Sequence, residues 1–230
     1  MKKIIFLIIA GVWGCIAVFS GFVVFHYVAT NAQFYVGLGD FNYETGKTDI
    51  AVKLYQRAIK MDDKCAEAHF SLGYAYFFKK DFNEKALEEF KRAVELKPKD
   101  GSYHSRLALA YARGGDEESA EKEHLAAVSL SPKEEVVHLN YGTFLRDSKK
   151  DFNKAEAEYK KAIELNPSFA KAYSSLGRLY YDTGKSQEAK ESLEKAVVLF
   201  QKQGNGQLAL KDRRLLQTIE SGETPAQNKE

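Results

Sequence analysis

Little in this chain breaks or staples a polypeptide: 230 residues contain two cysteines and four prolines. Cys15 lies in an apolar N-terminus and Cys65 far downstream, so there is neither a disulfide framework nor a CxxC-type metal signature. Nor does the pair assign a redox compartment. Three prolines, Pro98, Pro132 and Pro167, recur 34 and 35 residues apart and so punctuate helices rather than mark a linker. A charge excess is missing too. The formal net charge of +2 comes from Lys2 and Lys3, because residues 1–31 hold no other charged side chain and the remainder carries 32 basic against 32 acidic groups. That balance lacks the cationic surplus that neutralising phosphates requires, which argues against nucleic acid as a partner. P-loop, HExxH, nucleophile-elbow and dinucleotide fingerprints are absent, leaving no catalytic, cofactor-binding or metal candidate. Asn166-Pro-Ser168 has proline in the forbidden middle position, so no N-glycosylation acceptor exists either.

What is present begins with an apolar run. After Met1-Lys2-Lys3, the 22 residues from Ile4 to Phe25 carry no charge. At ~1.5 Å per residue they reach ~33 Å, enough for a hydrocarbon core of ~30 Å. The spacing predicts a transmembrane signal anchor over 4–27, with 1–3 as its basic flank. Cleavage after Ala32 and lipoprotein processing at Cys15 are the alternatives, each requiring a shorter apolar region than this one. No Lys or Arg follows until Lys47, so the positive-inside rule keeps the N-terminus cytoplasmic and places the rest outside the cytoplasm, in a periplasm or an equivalent space.

The second feature is a repeat. Gly39, Gly73, Ala108, Gly142 and Gly177 are spaced 34, 35, 34 and 35 apart, and Ala51, Ala86, Ala120, Ala155 and Ala189 are spaced 35, 34, 35 and 34 apart. Such a period means a solenoid of small units, each touching only its neighbours. Within a unit, Tyr35, His69, His104, His138 and Tyr173 are followed at i+3, i+4 and i+7 by a large residue, the small residue and Asn42, Tyr76, Tyr111, Leu145 or Tyr180. That is one face of a helix. A second helix carries Ala51/Tyr55/Ala58, Ala86/Phe90/Ala93, Ala120/His124/Ala127, Ala155/Tyr159/Ala162 and Ala189/Leu193/Ala196. Turn signals at Gly46, Gly114-Gly115, Gly184 and the matching strings Lys79 to Asn83 and Lys149 to Asn153 separate the two.

These residues resemble the tetratricopeptide repeat family, and Leu72-Gly73-Tyr76-Ala86-Phe90-Ala93-Pro98 is nearly its full motif. Asn42, Asp63 and Gln201 depart from it in the first and last units, where atypical residues are expected. The resemblance implies an all-α, right-handed α-solenoid of five helical hairpins at 32–64, 66–99, 101–133, 135–168 and 170–203. Leu208, Leu215, Leu216 and Ile219 at helical spacing predict a capping helix over 207–219, and the polar residues 220–230 a disordered tail.

His69, His104 and His138 invite a metal reading. They occupy one phase of successive repeats, where stacked helices stand ~8–10 Å apart, so three rings cannot share an ion and are read as flat packing residues, as is His124. In the family, ligands meet the first helix of each hairpin. The resemblance carries that peptide-binding role to Val36, Asp40 and Tyr43; Phe70, Tyr74, Phe77 and Phe78; Ser105, Leu109 and Arg113; Leu139, Thr143 and Arg146; and Ser174, Arg178 and Tyr181. Phe70, Tyr74 and Phe77 form an aromatic stripe that is either exposed for a partner or covered by neighbouring first helices. Arg113, Arg146 and Arg178 suggest a basic lane. The family's carboxylate clamp wants Lys and Asn early in the array, where Val36 and Asp40 stand, so chaperone-tail docking is not expected. The resulting expectation is a non-enzymatic, membrane-tethered scaffold that binds a protein or peptide partner and assists an envelope or membrane complex. The alternative is a structural protein that coats a membrane by self-association through the array.

Overall fold

The computed structural model describes residues 31–79 and 83–222, which form helices joined by short connections. Five hairpins follow one another. They are α1 (Ala32–Glu44) with α2 (Thr48–Met61), α3 (Ala66–Phe77) with α4 (Asn83–Leu96), α5 (Gly101–Arg113) with α6 (Glu117–Leu130), α7 (Glu135–Phe144) with α8 (Phe152–Leu165), and α9 (Ala170–Asp182) with α10 (Ser186–Lys202). A final helix, α11 (Gly206–Glu220), packs on α10 where the capping helix is expected. The expected anchor over 4–27, its flank, and the tail beyond residue 222 lie outside the described residues. Among those described, no helix is long and apolar enough to cross a membrane.

Each hairpin closes on one small-to-large contact. Tyr55, Phe90, His124, Tyr159 and Leu193 are exposed by 2% or less, and the small residues of the first helices sit over them. A Cβ on Gly73 would come 2.9 Å from Phe90, and one on Gly177 2.6 Å from Leu193, closer than carbon atoms approach. Glycine is what lets the two helices meet there. The alanines flanking each large side chain, such as Ala51 and Ala58 or Ala86 and Ala93, are fully buried and carry the same close approach to the next hairpin. Every first helix after α1 thus packs on its own second helix and on the one before it.

Helix ends follow local chemistry. Asn31, Asp100, Asp116 and Asp151 accept hydrogen bonds from the first-turn amides of α1, α5, α6 and α8. Within three hairpins the turn passes through a left-handed glycine: Gly46, Gly115 or Gly184. The fourth, which holds an extra residue, differs. Its first helix ends in a π-helical turn, Leu145–Lys149, and Lys150 takes the left-handed position at φ 56°. The wider turn absorbs the inserted residue without shifting Leu145, which stays buried.

The third hairpin varies the small-to-large contact on both sides at once. Ala108 stands in the glycine phase, and opposite that phase is His124, whose imidazole stacks on Tyr141 at 5.5 Å and tilts against Phe144 at 5.1 Å. Both ring nitrogens are buried without a hydrogen-bond partner. Burial alone pushes its pKa down to about 3, so the ring stays neutral in the fold. The unfolded chain takes up that proton near pH 6.5, hence His124 costs stability as pH falls from there toward 3. Exchanging Ala108→Gly with His124→Phe should therefore leave the fold intact and raise the melting temperature at pH 4 more than at pH 8. His124→Phe alone should gain less, because the larger ring meets the Ala108 methyl group. Thermal melts across pH check both.

Candidate functional site

The first helices stand side by side, joined by contacts between successive members. Ser71 of α3 donates to Asp40 of α1 at 3.3 Å, and Asn140 of α7 donates to Ser105 of α5 at 2.9 Å. Asp40 is held from below as well, by the Tyr55 hydroxyl at 2.8 Å. That bond and burial push the Tyr55 pKa up, burial being the larger cause, so the phenol remains a donor. Between α3 and α5 the link is different: the Arg106 guanidinium lies over the Tyr74 ring at 5.0 Å.

Around that contact the aromatic residues form one connected floor. Tyr43 meets Tyr74 edge-on at 5.6 Å, Tyr74 meets Phe78 at 5.0 Å, and Phe78 meets Phe77 at 5.4 Å. Phe77 and Phe70 both lean on buried Phe90, and Phe70 stacks on Tyr103 at 4.5 Å. Tyr43, Phe70, Tyr74 and Phe77 are half-buried, whereas Phe78 is 60% exposed. The stripe is thus neither free nor fully covered: its roots are core and its upper edges face outward. Arg113 lies over the Phe77 ring at 5.0 Å and donates to the Phe77 carbonyl.

Toward the C-terminal end the same face is closed by its own side chains. Leu139 is buried in the core and Leu109 is half-buried. Thr143 donates to the Leu139 carbonyl and lies 3.3 Å from the Tyr159 hydroxyl. Arg146 pairs with Asp147 at 2.7 Å; burial is the largest single influence and lowers its pKa, but that bond together with the charges of Asp147 and Asp182 and the Tyr159 phenol raises it overall. Tyr181 is half-buried against the fourth and fifth hairpins. Arg178 is engaged most fully. Its guanidinium donates to Asp212 of α11 at 2.6 Å, and Ser174 donates to the same oxygen at 2.9 Å. The three arginines read as a lane therefore occupy three separate settings, each with an acceptor from this chain.

Arg106 and Asp212 were not singled out from sequence, and Glu89 and Glu158, whose phases read as solvated helix faces, are instead bonded to histidines. Arg106 is half-buried, burial pushes its pKa below the ordinary arginine value, and among the described residues no carboxylate or carbonyl accepts from it. A signal existed. It stands two positions before the small residue, where Ser71 and Asn140 also stand, the phase that faces the preceding first helix.

On the opposite edge the three phased histidines are hydrogen-bonded on both sides. His69, His104 and His138 place Nδ1 at 2.6, 2.6 and 2.7 Å from Glu89, Glu123 and Glu158 of the partner helix. Nε2 lies 3.2, 3.1 and 3.0 Å from the carbonyls of Asp63, Pro98 and Pro132 in the preceding turn. They are staples rather than flat packing. With acceptors at both nitrogens, each ring is best served by two protons. At His69 burial is the largest single influence and opposes this, but the Glu89 bond, the Glu89 charge and the Asp63 carbonyl together outweigh it, and at His104 and His138 the glutamate bond is the leading cause; all three pKa values are raised. Among the described residues no group of three or more His, Cys, Asp or Glu side chains could hold a metal ion.

Comparison with known proteins bears on the repeat fold. Models of the tetratricopeptide repeat match residues 39–79 and 148–184, 66–100, and 170–201, together half of the chain. The human protein O-mannosyl-transferase TMTC3 is 30% identical over 168 residues, 72% of this chain, but the match spans only 18% of that protein. The type IV pilus assembly protein PilF of Pseudomonas aeruginosa is 26% identical over 68% of this chain and 64% of its own length. Among solved structures, TTC0263, a thermophilic TPR protein of Thermus thermophilus, superposes with a TM-score of 0.69 at 27% identity, covering 82% of this chain and 98% of that one.

Two outcomes follow. Asp212→Ala leaves the Arg178 guanidinium without its carboxylate, which should cost about 1–3 kcal/mol after solvent screening at the arginine and fray α11 first; hydrogen exchange along α11 reads this directly. A raised pKa contributes stability fully present below pH 6.5 and lost as pH rises through the folded value. Denaturant midpoints of the triple variant Glu89→Gln, Glu123→Gln, Glu158→Gln should therefore lose that pH dependence, matching the wild type more closely at pH 9 than at pH 6.

Proposed function

We propose, on the premise that this chain belongs to the tetratricopeptide repeat family, that it is a membrane-tethered scaffold whose first-helix groove binds a peptide or helix of a partner. The observation that carries this is the aromatic floor of the first three hairpins, Tyr43, Tyr74, Phe77 and Phe78, with the Arg106 guanidinium set into it and no acceptor among the described residues on that cation. Aromatic edges supply apolar area at low entropic cost, and a half-desolvated guanidinium favours a carboxylate on the ligand. The partner segment is accordingly apolar with an acidic residue beside it.

The apolar run Ile4 to Phe25, flanked by Lys2 and Lys3, supports a single-pass anchor with the N-terminus cytoplasmic and the array outside the cytoplasm. Confinement near a bilayer raises the effective concentration toward membrane partners, so a Kd of ~1 µM is enough. The similarity to a type IV pilus assembly protein favours a role in assembling an envelope complex. The O-mannosyl-transferase activity in the other relative's name belongs to that protein, of which the match covers 18%. Here the array is a binding element and not an enzyme.

Photo-crosslinking from position 78 in intact cells, read by mass spectrometry, identifies the partner. Tyr74→Ala with Phe77→Ala should abolish the crosslink and weaken binding of the identified segment at least about tenfold, with helical content unchanged. Arg106→Gln should weaken it several-fold and flatten its salt dependence. Loss of helicity together with binding would show these side chains to be structural. Concentration-dependent scattering with crosslinks only to a second copy would replace the scaffold reading by self-assembly.

A further inference from the structure

One end of the array is sealed, and the other has no described element packed against it. At the C-terminal end, α11 covers the fifth hairpin and buries Asp212 and Ile219. At the other end stands the outer face of α1. Leu38 and Phe41 are exposed by 38% and 55%, and Phe34, one turn earlier on the same face, is half-buried. The residues in these phases of later first helices are buried without exception: Ala68, Leu72 and Ala75 in α3; Tyr103, Leu107 and Ala110 in α5; Val137, Tyr141 and Phe144 in α7; Ala172, Leu176 and Leu179 in α9. They face the preceding second helix, as the contacts of His124 with Tyr141 and Phe144 illustrate. α1 therefore carries an interior face with nothing from the described residues on it.

The second helix of the same hairpin is altered in step. Ile50 and Leu54 occupy phases held elsewhere by Lys85, Ser119, Lys154 and Glu188, and by Glu89, Glu123, Glu158 and Ser192. Ile50 is 49% exposed and Met61 37%. Around them on the α2 surface lie Lys53, Arg57 and Lys60, with Arg57 seated over the Tyr35 ring at 4.8 Å. Apolar side chains ringed by cations are the pattern of a surface that settles into an anionic lipid interface.

The chain path points to the same occupant. Lys3 and Asp40 bracket 36 residues without an Asp, Glu, Lys or Arg, so the uncharged run of the proposed anchor continues through the first eight residues of α1. From Tyr27, where that anchor is placed, to Ala32 is five residues, a reach of at most ~18 Å. We infer that the outer face of the first hairpin, Phe34, Leu38, Phe41, Ile50 and Leu54 with Lys53, Arg57 and Lys60, rests on the lipid surface of the bilayer that holds the anchor. The array then stands end-on, its hairpins stacking away from the membrane, with an orientation fixed by two attachments instead of one. This rests on the anchor proposed above.

The test uses the full chain with Cys15→Ala and Cys65→Ala, reconstituted into vesicles of phosphatidylcholine and phosphatidylglycerol. Leu38→Cys, Phe41→Cys and Ile50→Cys are each labelled with an environment-sensitive fluorophore, and Phe78→Cys and Val198→Cys serve as references. Nitroxide-labelled lipids should quench the first three probes at least about twofold more than the references, and Lys53→Glu with Lys60→Glu should reduce that difference. If the chain floats with the vesicles but all five probes quench alike, the lipid contact is overturned while the anchor stands. Probes at 38 and 41 shielded from both lipid and aqueous quenchers would give the face to the N-terminal segment or, where disulfide trapping yields dimers, to a second copy; either overturns the inference. A chain that does not float removes the anchor, and this inference with it.

Discussion

The whole array depends on the approach of two helices across a residue with almost no side chain. Gly73 over Phe90, Gly142 over Tyr159 and Gly177 over Leu193 repeat one contact in which the first helix gives up its Cβ and the second supplies a large side chain to fill the space. Burying such a side chain is worth roughly 1.5–3 kcal/mol, and the flat fit leaves the flanking alanines free to receive the next hairpin. Because the contact recurs at each step, the units add in register. A first-helix face and a staple edge then arise without further instruction.

That regularity is also why functional residues show as departures from it. At the first-helix links, Ser71 finds Asp40 and Asn140 finds Ser105, hydroxyl, amide and carboxylate satisfying one another. Arg106 breaks the series by leaning on a ring instead of an acceptor. The histidine staples show the reverse case, three copies of one solution, with Tyr35/Leu54 and Tyr173/Ser192 replacing the His/Glu pair in the two end hairpins. The ends of a stack have different neighbours from its middle, so the chemistry of the repeat changes there. At the C-terminal end the change is an ion pair between Arg178 and Asp212 under a cap; at the other it is apolar substitution on a face that no described residue covers.

Much of the fold was legible because its period is written in residue size. Small residues at a spacing of 34 or 35 and alanines twelve or thirteen positions later locate every hairpin, and the extra residue near Lys149 to Asn153 announced an altered turn. That the turn would take the π form, with Lys150 left-handed, was not legible, since the insertion is equally compatible with a longer loop. The first-helix phases were readable as a face, but not which members would be spent internally. Arg178 and Arg106 stand at different phases of their first helices, and neither phase tells what the arginine meets. One lies 34 residues before an aspartate that a later helix swings onto it, and the other lies beside a tyrosine.

By itself, then, the sequence determined the helical hairpins, their number and their order, because each is a local matter of 3.6-residue periodicity and of side-chain volume at fixed spacing. Only the tertiary structure decided which side chains remain available to a partner. Availability depends on what the neighbouring hairpin brings within reach, a distance between residues some 30 positions apart, and no periodicity along the chain encodes it.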